Sequence, residues 1–335
     1  MPHWQQPGQQ PLPGQWQQAH QQTWQVPPAP RSTKKGGSKW WLLLPFLVLG
    51  LMVGYFILSR DVPNPPPSRP AIEVTYVNED YAAPAMGTGP TEIEDSFGDP
   101  SVLTSNDLYM QTVPTPVRCE PPEVSDVTDK RELQSRMTNL SECLTKTFGP
   151  ALEDAGYVAY QPRVVVYDTT GTTPCGPLEP VGAFYCGANQ GIYVASDIST
   201  LAGSDVVGID YVFAHEYAHN LQGRAGILAQ RIHEHRSAAG VAEENEVNRR
   251  LETQADCLAG SFFKSAEESV GYTAGDKSYI VDVARSVGDD QFLPPEELPS
   301  THGTSASREL WVTRGFDAVD YGDCNTFVAP VDEIE

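Results

Sequence analysis

The chain is 335 residues long, 40% apolar and 20% charged, with 44 acidic against 22 basic residues and a formal net charge of −22. That length suits one catalytic-sized domain with appendages, and a charge of that sign repels phosphate, which argues against a nucleic-acid partner. The imbalance is uneven, because residues 1–60 carry five bases (Arg31, Lys34, Lys35, Lys39, Arg60) and no acid.

Residues 1–39 are rich in Gln, Pro, Trp and His, lack aliphatic periodicity and read as a disordered tail. Trp40–Leu58 is almost unbroken apolar sequence, just long enough to cross a hydrocarbon core of about 30 Å. Trp40, Trp41 and Tyr55 suit its interfaces. The bases lie mainly on its N-terminal side, so the positive-inside rule predicts a single-pass anchor in the cell membrane, with residues 1–39 cytoplasmic and the catalytic part extracellular. No small-x-small cleavage site follows the apolar run, which disfavours a removed signal peptide. Residues 59–115 open on Asp-Val-Pro-Asn-Pro-Pro-Pro, stay rich in Pro, Gly, Ser and Asp, and read as an extended stalk. Within them Ile72–Val77 alternates as an isolated strand would.

From residue 116 to 335 the chain reads as globular. Leu133, Met137, Leu140 and Leu144 recur at helical spacing within a helix predicted over Asp129–Phe148. Arg163–Tyr167 is an apolar run that reads as an interior strand. Gly182–Cys186 and Gly191–Ala195 read as strands around a Gly-Ala-Asn-Gln-Gly turn. The second of these is a candidate open edge for an extended substrate backbone. Further helices are predicted from Asp205, over Glu243–Lys264, over Lys277–Ser286 and over Ser305–Phe316. A helix, a few strands and then many helices make an α+β domain.

Six cysteines, all beyond the apolar span, fit disulfides in an oxidising compartment. Fifteen pairings are open to six cysteines. Cys175–Cys186, bracketing a Gly/Pro-rich turn, is the best local pair, and Cys119–Cys143 and Cys257–Cys324 would follow. No C-x-x-C spacing suggests a cysteine metal site.

His215-Glu-Tyr-Ala-His219 carries the chemistry. On a helix, His215 and His219 lie one turn apart on one face and can share a zinc ion. Glu216 sits about 100° further round, placed to act on a water held there rather than on the metal. Val206, Ile209, Val212 and Phe213 at helical spacing support that helix. A catalytic zinc needs a third protein ligand and an open position. His233 and His235 are two apart, which splays them on a helix, and they lie in a polar stretch that reads as solvated surface. Glu252 and Asp256 are four apart on one face of the following predicted helix. Ala255, Ala259 and Gly260 lie beside them and allow a close helix approach. Glu252 can complete the metal set, and Asp256 can accept the N–H of a ligand histidine.

His215–His219, Leu251-Glu-Thr-Gln-Ala-Asp-Cys-Leu-Ala-Gly260, Thr301-His-Gly-Thr-Ser-Ala-Ser-Arg308, Arg314-Gly-Phe316 and Cys324-Asn-Thr-Phe327 together resemble the bacterial neutral zinc metallopeptidase family typified by YpfJ, over residues 120 to 328. That resemblance implies a gluzincin-type, zincin-like domain that is mainly helical with a small sheet. It implies zinc held by His215, His219 and Glu252, with Glu216 as general base, and a peptide or protein as substrate. His302, in the His-Gly-Thr-Ser block, is a candidate donor to the oxyanion or a cap of the helix that starts near Ser305, and Tyr279 is a second candidate donor. Two other readings stand beside the peptidase. One is a zinc-binding interaction module without turnover, and the other is a zinc amidase acting on a non-protein amide.

Overall fold

In the computed structural model, which describes residues 74–88, 98–294, 297 and 301–335, the chain packs well before residue 116. Helix α1 (Ser101–Thr104) and a 3₁₀ turn at Asp107–Met110 bring Leu103, Leu108, Tyr109 and Val113 into the core. Asn106 caps that turn and donates through Nδ2 to the Ala225 carbonyl at 2.9 Å. The stalk expected over 59–115 is therefore corrected at its C-terminal end. Its four buried apolar residues are irregularly spaced among polar ones, so neither a helical nor an alternating period marks them. Val77, at the end of the expected strand Ile72–Val77, makes only an isolated bridge to Val117. The tail 1–39 and the span Trp40–Leu58 lie outside the described residues, among which no helix is long and apolar enough to cross a membrane.

Helix α2 (Lys130–Asp154) begins where Asp129 accepts hydrogen bonds from the Arg131 and Glu132 amides, as an N-cap acid should. Leu133, Met137, Leu140 and Leu144 are all fully buried on its inner face. It continues one and a half turns past the predicted end despite Pro150. Burial of Ala151 and Leu152 outweighs the hydrogen bond that the proline removes.

The sheet follows. β1 (Arg163–Tyr167) leads through a small ribbon of β2 (Thr172–Thr173) and β3 (Gly176–Pro177) to β4 (Ala183–Cys186) and β5 (Gly191–Ala195). The three main strands lie in the order β1-β5-β4, with β1 parallel and β4 antiparallel to β5. Gly191–Ala195 is thus the middle strand, paired on both sides, and the expectation that it forms an open edge is wrong. The tight turn after Cys186 folds it back beside β4, while its apolar residues also suit β1. The outer strands are β1, which packs on α2, and β4, which packs on the helix that carries the histidine motif.

A short helix α3 (Ser199–Ala202) precedes α4 (Val206–Arg224), which is capped by Asp205 and buried along nearly its whole length. Arg136 of α2 grips Asp210 of α4 with two hydrogen bonds, at 2.8 and 2.6 Å, and Tyr272 donates to the same carboxylate at 3.1 Å. Such a buried pair is costly to half-remove, so it fixes the register of the two helices. Next come α5 (Ile227–Ser237), α6 (Val241–Ala266), α7 (Ala274–Ser286) and α8 (Ser305–Asp317). The small residues of α6 serve a close contact with α8. A Cβ on Gly260 would fall 2.4 Å from the Val312 carbonyl, and one on Gly315 would fall 2.1 Å from that of Cys257.

Three disulfides join Cys119 to Cys143, Cys175 to Cys186 and Cys257 to Cys324, the preferred pairing. The first ties the N-terminal approach to α2, the second closes the loop ahead of β4, and the third fastens α6 to the C-terminal segment. The domain is mainly helical with a small sheet, in agreement with an α+β class.

Candidate metal centre and active site

Helices α4 and α6 pack side by side, and their facing turns bring the sequence-predicted ligands to one point. His215 Nε2 lies 3.3 Å and His219 Nε2 3.6 Å from the same Oε2 of Glu252. Ligand atoms of all three residues lie within 4.8 Å of one another. A tetrahedral ion with bonds of about 2.0–2.1 Å requires ligand atoms about 3.3–3.4 Å apart. The donor set, two imidazole nitrogens and one carboxylate oxygen, has the chemistry for zinc, and its two histidine–glutamate spacings lie close to that value.

The outer nitrogens fix which ring atoms face that point. His215 Nδ1 is 2.8 Å from Asp256 Oδ1, and His219 Nδ1 is 2.8 Å from Gln222 Oε1. Gln222 cannot readily flip, since its Nε2 donates to the Leu251 carbonyl at 2.8 Å and to Gln254 Oε1 at 3.1 Å. Gln254 in turn donates to the Tyr109 hydroxyl at 2.9 Å, so the early segment around α1 helps to hold the site. In the neutral, metal-binding form both rings thus keep a proton on Nδ1 and present a lone pair on Nε2, the pattern that hydrogen-bonded metal ligands adopt.

Asp256 is the hub. Its Oδ1 also accepts from the Tyr211 hydroxyl at 2.6 Å and from Arg308 at 2.9 Å, while Oδ2 has no partner among the described residues. Burial works to raise its pKa, but the Arg308 guanidinium and then His215 outweigh burial and hold the carboxyl below the usual range. Burial likewise opposes the charged form of Glu252, but His219 and His215 hold it well below the ordinary value. For His215 burial disfavours the imidazolium, yet the Asp256 carboxylate and Glu252 bring its pKa up to about 10.

Glu216, on the same helix turn, accepts from the Tyr185 backbone N–H of β4 at 2.9 Å. That bond ties the edge strand to the motif helix. Burial raises the Glu216 pKa and both motif histidines lower it, leaving it above the ordinary carboxylate value, the direction that suits a group that must take up a proton.

The remaining candidates divide. His302 lies on the loop before α8, where its backbone N–H donates to Asp289 Oδ2 at 2.8 Å and its Nδ1 lies 3.0 Å from Thr301 Oγ1. Asp289 raises its pKa and the charge of Glu252 reaches it. It does not cap α8, because Thr304 takes that place and accepts from the Ser307 amide. Tyr279 is excluded from the triad's surroundings. Its hydroxyl donates to the Ala202 carbonyl at 3.3 Å, beside the start of α4 and two turns from His215. His233 and His235 lie on α5 outside the triad, half-buried rather than fully solvated. Sequence reading missed Tyr211, Gln222 and Arg308. Gln222 stands three residues after His219, on the same helix face. Arg308 closes the Thr301–Arg308 block already noted for its resemblance.

Two packed helices that offer two histidines and a glutamate to one point, each histidine anchored from behind, form a candidate metal site. The family follows from comparison. A family model described as "Putative neutral zinc metallopeptidase" matches residues 99–327, and the chain belongs to that family. Its curated relatives include the uncharacterised protein YpfJ of Escherichia coli strain K12, 34% identical over 194 residues, which are 54% of this chain and 67% of the relative. An uncharacterised protein of Mycobacterium bovis is 31% identical over 223 residues, 59% of this chain and 72% of the relative. No solved structure matches. The family implies zinc, and the triad is the candidate place for it.

Proposed function

We propose that the protein is a membrane-anchored zinc peptidase of the gluzincin type, with His215, His219 and Glu252 as metal ligands and Glu216 as general base. The observation that carries this reading is the convergence of the three ligand atoms within 4.8 Å of one another, with both histidines held through Nδ1. Bound there, zinc supplies a Lewis acid for the scissile carbonyl and lowers the pKa of its water to roughly 7. Glu216 takes a proton from the attacking water and passes it to the leaving amine. The Tyr185 amide aims the Glu216 carboxylate. The free edge of β4 is the surface on which an extended substrate backbone lies. His302 is the donor to the developing oxyanion. Its Nδ1 faces Thr301 and Asp289, so Nε2 donates from the imidazolium, the form that Asp289 favours by raising the pKa of the ring.

The acidic ectodomain acts on peptides or proteins and does not bind nucleic acid. Trp40–Leu58 anchors it, with residues 1–39 cytoplasmic and the catalytic domain outside. Three disulfides support the outward placement, since they persist in oxidising compartments. The test is incubation of the purified protein with a mixed peptide library, with and without a chelator. Chelator-sensitive cleavage is expected. Cleavage that survives the chelator, or release of acyl groups from non-peptide amides alone, contradicts the proposal.

A further inference from the structure

Helix α5 packs on both helices of the triad, α4 and α6. Its Leu228 and Arg231 are three residues apart and share one face. Leu228 Cδ2 comes 3.6 Å from where a Cβ on Gly187 would sit and 3.9 Å from one on Gly223. This face of α5 therefore borders the turn that ends β4 and the last turns of the motif helix.

Arg231 on that face is a half-buried cation with no ion pair among the described residues. Its Nε is closed to solvent and has no hydrogen-bond partner among the described residues. No described carboxylate forms an ion pair with it, and the anion whose charge it feels is Glu252. Glu252 is the proposed metal ligand, and its charge is committed to the metal once that site is filled. The rest of the Arg231 side chain is only half-buried, so an arriving anion can reach the guanidinium and give the closed-off Nε a partner. The planar fork of arginine matches a carboxylate better than any other common anion of a peptide.

We propose that Arg231 is a specificity-determining residue that receives a carboxylate of the substrate beside the metal site, from either the chain terminus or an Asp or Glu side chain. This rests on the peptidase reading of the site. It divides substrates by charge. Peptides that bring a carboxylate to α5 bind and are held in register, whereas uncharged ones lose that contact.

The test measures binding rather than turnover. Full-length protein carrying Glu216→Gln is loaded with zinc and titrated against three fluorescent alanine-glycine-leucine peptides of one sequence. One ends in a free carboxylate, one in an amide, and one in an amide with a single internal aspartate. At least one carboxylate peptide is expected to bind roughly tenfold or more tightly than the plain amide, the weight of one charge-assisted contact. Whichever carboxylate peptide shows the advantage identifies the source. Arg231→Gln should bring the ratio of affinities close to one, and Arg231→Lys should keep part of it. Equal binding of all three peptides to protein with Arg231 intact overturns the proposal, and so does an advantage that survives in Arg231→Gln. If Arg231→Gln does not fold, the intact-protein comparison and the lysine variant decide alone. A protein that selects carboxylates through Arg231 yet cleaves no peptide contradicts the peptidase reading and leaves this inference standing.

Discussion

Replacing Asp256 by Asn separates two roles of one side chain. The amide keeps the shape and can still accept from the His215 Nδ1–H, but it carries no charge. Two consequences follow from the contacts. The imidazole of His215 becomes a poorer donor to the metal, which for an outer partner of a ligand histidine costs about 10–100-fold in metal affinity, or roughly 1.4–2.7 kcal/mol. Arg308, whose buried guanidinium lies 2.9 Å from Asp256 Oδ1, loses its counter-charge at the same time. Breaking a buried pair from one side typically costs about 3–5 kcal/mol of stability. The two effects can be parted by a double-variant cycle with Arg308→Met, since removing the orphaned cation should return most of the stability and none of the metal affinity. Urea unfolding gives the first quantity and competition with a zinc indicator gives the second. If Arg308→Met restored zinc affinity together with stability, Asp256 would act by holding the fold and not by tuning His215. Loss of affinity in Asp256→Asn should still be smaller than in Glu252→Ala, which removes a ligand outright.

Further outcomes follow from the same contacts. Because Asp256 and Glu252 raise the His215 pKa to about 10, the ring holds a proton that zinc must displace. The proton competes more strongly as pH falls below that value, so apparent zinc affinity should drop about tenfold per pH unit across pH 9 to 6, and rise with pH. A flat profile by indicator competition would show that His215 is neutral before metal arrives. Gly260→Ala should lower the unfolding temperature despite the better helix propensity of alanine. The new Cβ falls 2.4 Å from the Val312 carbonyl, and forcing α6 from α8 costs about 1–3 kcal/mol. An unchanged melting curve refutes the tight α6–α8 contact. Protease added to intact cells should remove the catalytic domain, and a mature N-terminus beyond Leu58 would refute the retained anchor.

Much of the site was legible because it is local. Two histidines and a glutamate within five residues, and an acid pair at four-residue spacing, meet wherever two helices lie side by side. Loop composition made Cys175–Cys186 legible, whereas the four cysteines left over still allowed three pairings, of which the structure has Cys119–Cys143 and Cys257–Cys324. What escaped was set by distant packing. Strand β5 gave no sign in its own residues that it would lie between β4 and β1, because an apolar run suits an edge near a helix as well as a centre. The segment from Ser101 to Val113 buries four apolar residues without any period, and its contacts are with α4 and α6, more than a hundred residues on. Helix α5 was obscured because Arg231, His233, Glu234 and His235 make it read as surface, although Ile227 and Gln230 are buried. Arg308 was visible as part of a motif, but its partner Asp256 was recognisable only in three dimensions.

The central claim is that Glu216 is a base beside a metal it does not bind. Its side chain is aimed by the Tyr185 amide and is not one of the three grouped ligands. The most direct measurement compares unmodified protein with Glu216→Gln for zinc content by elemental analysis and for hydrolysis of a mixed peptide library. The account predicts one zinc per chain in both, with hydrolysis slower in the variant by about 10²–10⁴-fold, the usual weight of acid–base assistance. Equal rates at equal zinc content would contradict it.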